Sequence, residues 1–187
     1  GGTEMVYFAT GALKADGGIM VTASHNPKDY NGLKLVREDS KPISADTGLK
    51  RIREIAEADL RLSVDAKGKR TATDTSKAYI EHLLSYIDVE KLRPLKIVVN
   101  AGNGGAGPTL DRLAEYLPFE FVRVNHEPDG NFPNGVPNPM LEQNRLSTAQ
   151  AVRDSGADFG IAWDGDFDRC FPFDESGAFI EGYYIVG

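Results

Sequence analysis

Apolar residues along the chain follow two spacings in turn, one helical and one strand-like, which points to an α/β protein. Residues 3–13 are short and read as helix. DGGIMVTAS (16–24) reads as an apolar strand running into a loop, and GLKLV (32–36) alternates as a strand does. From Ser44 the period becomes helical, with Leu49, Ile52, Ile55 and Ala56 on one stripe and Lys50, Arg51, Arg53, Glu54 and Glu57 opposite. Residues 61–74 are polar and basic with no apolar period, so they read as a linker between two units, 1–65 and 75–187.

The second unit opens on a helix near 75–88, with Tyr79, Ile80, Leu83, Leu84 and Ile87 as its stripe. LKIVVN (95–100) is a continuous apolar strand of the kind buried on both faces. A glycine-rich turn leads to a helix at 108–117, and FEFVRV (119–124) is a strand. Residues 125–144 are rich in proline and asparagine and have no period; ordered loops of that length are often functional. A helix at 146–154, Gly156 and the strand ADFGIAW (157–163) follow, then a hairpin around Glu175-Ser176-Gly177. The expected architecture is mixed β-sheets sandwiched by helices.

Composition narrows the function. At 41% apolar and 26% charged, the 187 residues can bury a core. The net charge of −7 repels phosphate backbones and anionic lipid, so neither nucleic acid nor a membrane surface is an expected partner. No apolar run reaches the ~18 residues of a transmembrane helix. Cys170 is the single cysteine, which forbids an internal disulfide and fits a reducing, cytoplasmic setting. GGTEMVYFAT has neither an initiator Met nor a signal-peptide pattern, so the chain reads as a piece of a longer protein.

Three strings could carry chemistry. The first is Thr22-Ala23-Ser24-His25-Asn26-Pro27 at a strand end, followed by Tyr30-Asn31-Gly32 and Lys34. A serine there presents its hydroxyl at the carboxyl edge of a sheet, where α/β proteins bind ligands. His25 and Lys34 are candidate acid, base or phosphate contacts, although Ser, Asn and Pro also simply make good turns. The second is Asp164-Gly165-Asp166-Phe167-Asp168-Arg169. Three carboxylates in five residues repel one another, and a turn that gathers them asks for a hard divalent cation. Arg169 beside them suits a phosphate. An EF-hand would match Glu175 at position twelve but needs glycine where Arg169 stands. A haloacid-dehalogenase-like phosphatase with Asp164 as nucleophile fits the local pattern and stays open as the alternative.

The third string, Gly102-Asn103-Gly104-Gly105-Ala106-Gly107, has the form G-x-G-x-x-G, with Glu127 twenty residues on. Pro108 follows at once and Glu127 lies beyond the next strand, so cheap turn packing competes with nucleotide binding. His25, His82 and His126 are too dispersed for a zinc cluster, with His82 read as a surface residue. Trp163 and Cys170 read as residues in or near the core.

TASHNP with its D-Y-N-G-x-K tail, followed far downstream by DGDFDR, resembles the α-D-phosphohexomutase superfamily, in particular its bacterial phosphomannomutase branch. PDGNFPN (128–134) and NAGNGGAG (100–107) strengthen the resemblance, which covers essentially the whole chain. It implies a phosphoserine at Ser24 and Mg2+ held by Asp164, Asp166, Asp168 and a phosphoserine oxygen. It also implies Arg169 near the transferring phosphate, Lys34 as general acid/base and His25 as a further active-site residue. The implied reaction interconverts mannose 6-phosphate and mannose 1-phosphate, with glucose phosphates as further candidates, through a hexose 1,6-bisphosphate. The family has four domains. Its opening strands of domain 1 with an arginine near the phosphate, the sugar-recognition loop of domain 3 and the phosphate-anchoring loop of domain 4 have no counterpart here. The 187-residue chain is therefore expected not to turn over alone. Gly135 stands where many relatives carry a histidine after PDGNFPN.

Overall fold

The computed structural model describes residues 1–59 and 63–186. Helix α1 (Thr3–Ala12) lies against a two-stranded antiparallel ribbon of β1 (Gly17–Val21) and β2 (Leu33–Arg37), in which Val21 pairs with Leu33. The pleat turns Gly18 toward the helix, where a Cβ would crowd Val6, Thr10 and Val36. Ile19, Val21 and Leu33 are exposed on the ribbon. Beyond β2, a π-type turn (Ala45–Leu49) bends at Gly48, whose φ of 140° lies in the left-handed region, and leads into α2 (Lys50–Glu57). The α2 stripe is less covered than its spacing suggests: Leu49, Ile52 and Ala56 are exposed and only Ile55 is half-buried. Residues 63–74 carry no helix or strand and are exposed, while 61–62, the start of the expected linker, lie outside the described residues.

The larger unit begins with α3 (Ser76–Leu84), which buries Tyr79 and Ile80. Strand β3 (Lys96–Asn100) is the centre of a four-stranded sheet ordered β4-β3-β5-β6, with β4 (Glu120–Val124), β5 (Phe159–Trp163) and β6 (Cys170–Phe173). β4 and β5 run parallel to β3, whereas β6 runs antiparallel to β5. The sheet is therefore mixed, with helices on both faces. Ile97 and Val99 meet Leu110 of α4 (Ala106–Ala114), and Val98 meets Ala149 and Val152 of α5 (Leu146–Ser155) together with Phe173. Alternation along one buried strand thus supplies both cores.

Three local expectations are corrected. α4 begins at Ala106 rather than 108, so Pro108 falls in its first turn, where a missing N–H costs no helical bond. The hairpin at 175–177 reduces to β6 and a single bridge from Phe173 to Phe179. Cys170 is on a strand but exposed, because it opens β6 at the rim of the sheet.

Candidate active site

Both chemistry-bearing strings sit at strand ends, and the chain brings them together. After β1, Thr22 N–H donates to Gly32 O (3.0 Å), closing the loop at its base. Inside it, Asn26 holds Ala23 O through its backbone N–H (3.0 Å) and its side-chain amide (2.8 Å). Ser24 adopts a left-handed φ of 53°, and its N–H donates to Thr22 Oγ1 (2.8 Å). A non-glycine residue in this region is strained, and such strain concentrates at functional sites.

The acidic string is the whole connection between β5 and β6, whose pairing ends at Trp163 and Cys170. Asp164 holds the connection from within: its Oδ1 accepts Arg169 N–H (3.2 Å) and its carbonyl accepts Phe167 N–H (3.1 Å). Gly165 allows the two loops to touch, since a Cβ there would land on the Ser24 carbonyl oxygen. The glycine-rich turn braces the other side. Gly105 N–H donates to Gly165 O (2.9 Å), and a Cβ at Gly104 would lie 2.6 Å from that same oxygen. These glycines make room for the acidic loop, and Glu127 gives its backbone carbonyl to Asn103 (2.8 Å). Pro137 of the long asparagine-rich loop packs on Gly102 and Gly165. Gly135 has a φ of 92° and open space around its Cβ position, so a histidine would be strained in this backbone.

Ser24 Oγ donates to Asp164 Oδ2 (2.8 Å) and accepts from Arg169 Nη2 (2.7 Å). Arg169 Nη2 also contacts Asp164 Oδ2 and His25 Nδ1, and His25 Nδ1 lies 3.3 Å from Ser24 Oγ. Lys34 Nζ reaches Asp166 Oδ2 (2.7 Å), Asp168 Oδ2 (2.5 Å) and Thr3 Oγ1 (3.1 Å). All seven candidate side chains named from the sequence therefore meet in one cluster. Two that sequence reading assigned no role join them: Thr3 and Thr22 both donate to Asp166 Oδ2, at 2.8 and 3.0 Å. Thr22 sits inside the TASHNP string; nothing in the sequence around Thr3 marks it.

Burial and charge set the electrostatics. Asp164 is completely buried and Asp166 nearly so, at 3% exposure. Burial pushes the Asp164 carboxyl above its ordinary range, against hydrogen bonds from Ser24 and Arg169 that pull it down. Burial pushes Asp166 up as well, but hydrogen bonds from Lys34, Thr3 and Thr22 and the Lys34 charge more than offset it, leaving a value of about 2. Burial alone would lower Lys34; its hydrogen bonds to Asp166 and Asp168 outweigh that and hold it above the usual lysine value.

The residues fit a divalent cation. One carboxylate oxygen from each of Asp164, Asp166 and Asp168 lies within 4.8 Å of the others. Asp166 Oδ1 and Asp168 Oδ1 are buried with no hydrogen-bond partner, although Arg169 Nε approaches the latter at 3.5 Å, within ion-pair range. Buried anionic oxygens left unpaired are costly, and a hard cation satisfies them. Among the described residues no metal-competent group includes His25, His82 or His126. His126 Nε2 lies 2.8 Å from Asp111 Oδ2, and His82 is exposed beside Tyr86. Among the described residues no helix is long and apolar enough to cross a membrane.

A mixed α/β core holds a serine loop against an Asp-x-Asp-x-Asp-Arg loop at its strand ends, and comparison gives the family. The model for phosphoglucomutase/phosphomannomutase alpha/beta/alpha domain II matches residues 77–177, and that for domain I matches residues 2–62. The chain belongs to the phosphoglucomutase/phosphomannomutase family. It is 66% identical to a protein named phosphohexose mutases from Xanthomonas campestris pv. campestris and 56% identical to a phosphomannomutase from Vibrio cholerae. Each match covers 100% of this chain but only 42% and 41% of the relative. In fold, it is similar to the crystal structure of a phosphoglucomutase/phosphomannomutase family protein from Burkholderia thailandensis. That match has a TM-score of 0.83 at 35% identity and covers 96% of this chain and 40% of that one.

Proposed function

We propose that this chain carries the phosphoserine loop and the metal loop of a longer phosphohexomutase acting on hexose phosphates in the cytoplasm. Mannose 6-phosphate and mannose 1-phosphate are the preferred pair, with glucose phosphates as further substrates. Residues 1–65 form the latter part of one domain and 75–187 most of the next, with the linker between them. The observation that carries this reading is the meeting of Ser24 Oγ with Asp164 and Arg169 across 140 residues of sequence.

Ser24 carries the phosphoryl group on Oγ. In the first half-reaction the bond from phosphorus to Ser24 Oγ breaks and a bond to the free sugar hydroxyl forms, giving hexose 1,6-bisphosphate. As the bond to phosphorus breaks, the Lys34 ammonium gives a proton to Ser24 Oγ, and the sugar hydroxyl gives up its own proton to restore the ammonium, so the half-reaction is proton-neutral. The bisphosphate then turns over, and its other phosphoryl group returns to Ser24 Oγ. Arg169 neutralises charge on the transferring group, the largest contribution expected in phosphoryl transfer. His25 orients the group beside Arg169. Asp164, Asp166 and Asp168 would hold Mg2+ beside the phosphorylated Ser24, and the ion would supply charge neutralisation at that phosphate. The aspartyl-phosphatase alternative is not favoured, since both family models match here in succession.

An assay of the full-length enzyme tests the reading. Mannose 1-phosphate should convert to mannose 6-phosphate only after trace hexose 1,6-bisphosphate is added, and the 187-residue chain alone should give no turnover. Release of inorganic phosphate in step with substrate loss would contradict it.

A further inference from the structure

Asp166 has two carboxylate oxygens in opposite situations. Oδ2 receives three donors, from Thr3, Thr22 and Lys34. Oδ1 is buried with none. Thr3 is the least replaceable of the three donors. It is fully buried, its N–H donates to Asp166 O (3.2 Å) and its hydroxyl donates to Asp166 Oδ2 (2.8 Å). The same hydroxyl oxygen accepts from Lys34 Nζ (3.1 Å), so one side chain fixes both the carboxylate and the ammonium beside it. Gly2 permits this approach, since a Cβ there would lie 2.7 Å from Asp166 O.

We propose that Thr3 is a positioning residue for the divalent-cation site, filling Asp166 Oδ2 so that Oδ1 is the oxygen turned to the metal. The inference rests on the reading that Asp164, Asp166 and Asp168 hold the ion, and it adds the residue that decides which Asp166 atom does so. Groups that hydrogen-bond a ligating carboxylate typically tune metal affinity by ~10–100-fold. Without the Thr3 hydroxyl, Oδ2 loses a donor, the carboxylate gains freedom to rotate, and Lys34 loses its third contact.

The test is Mn2+ titration followed by electron paramagnetic resonance on the full-length protein, as wild type, Thr3→Val and Thr3→Ser. Valine keeps the shape and removes the hydroxyl. The expected result is a Mn2+ dissociation constant raised at least ~10-fold in Thr3→Val and restored to within ~3-fold of wild type in Thr3→Ser. If the valine variant does not fold, Thr3→Ala against Thr3→Ser makes the same comparison at that position. Equal Mn2+ affinity with and without the hydroxyl, in a wild type that binds, would overturn the role of Thr3 alone. A wild type that does not bind Mn2+ would overturn the metal reading and this inference with it.

Discussion

Ser24→Ala in the full-length enzyme is expected to reduce mutase turnover by at least ~1000-fold, on the scale seen when a nucleophile is removed. The loss follows from what Oγ does in the cluster. It contacts both Asp164 and Arg169 of the acidic loop, and in the proposed relay it accepts and gives up the phosphoryl group. Alanine leaves the loop otherwise intact: Thr22 still accepts the backbone N–H at position 24, and the Ala23 carbonyl is still held by Asn26. The left-handed φ is as tolerable for alanine as for serine, so thermal stability should change little. A steady-state assay with saturating hexose bisphosphate, alongside a melting curve, checks both halves. Turnover above ~10% of wild type in a folded variant would remove Ser24 from the reaction, because side chains that act as a unit do not fail by halves.

Asp166→Asn should raise the dissociation constant for a divalent cation at least ~100-fold, more than the loss of a supporting group would. The amide has no good orientation here. If its oxygen takes the place of Oδ2, it satisfies Thr3, Thr22 and Lys34 but turns the NH2 group toward the other carboxylates and the cation. If it turns round, the NH2 group faces three donors. Lys34 loses one of its two charged partners in either case and keeps only Asp168. Calorimetric titration with Mg2+ measures the change, and an affinity within ~3-fold of wild type would contradict the assignment of Asp166 as a ligand.

Much of the site was legible because its members travel in short contiguous strings. The three aspartates and Arg169 occupy one hairpin connection, and Ser24, His25 and Lys34 belong to one loop and the strand that follows it. Repulsion among three carboxylates in five residues points to a cation from the sequence alone. Thr3 was not legible, because its meaning depends on contact with a residue 163 positions away. The glycine-rich turn could be read two ways on sequence alone. Only the approach of Gly104 and Gly105 to Gly165 shows that the missing side chains make space for a neighbouring loop. In the fold, β3 announced its double burial through an unbroken apolar run, and both cores form on it. Proline reads as a break in the sequence, which sets the expected start of α4 two residues late, although the first turn of a helix accepts it. For Cys170 residue type favours burial, whereas its position at the rim of β6 exposes it.

The most direct test of the relay is phosphosite mapping by intact and peptide mass on the full-length protein, purified with Mg2+ and a trace of hexose 1,6-bisphosphate. A single phosphoryl group on Ser24 that survives hydroxylamine is the predicted result. An unmodified Ser24 with a hydroxylamine-labile phosphate on Asp164 would contradict it and leave the TASHNP loop a turn beside a different chemistry.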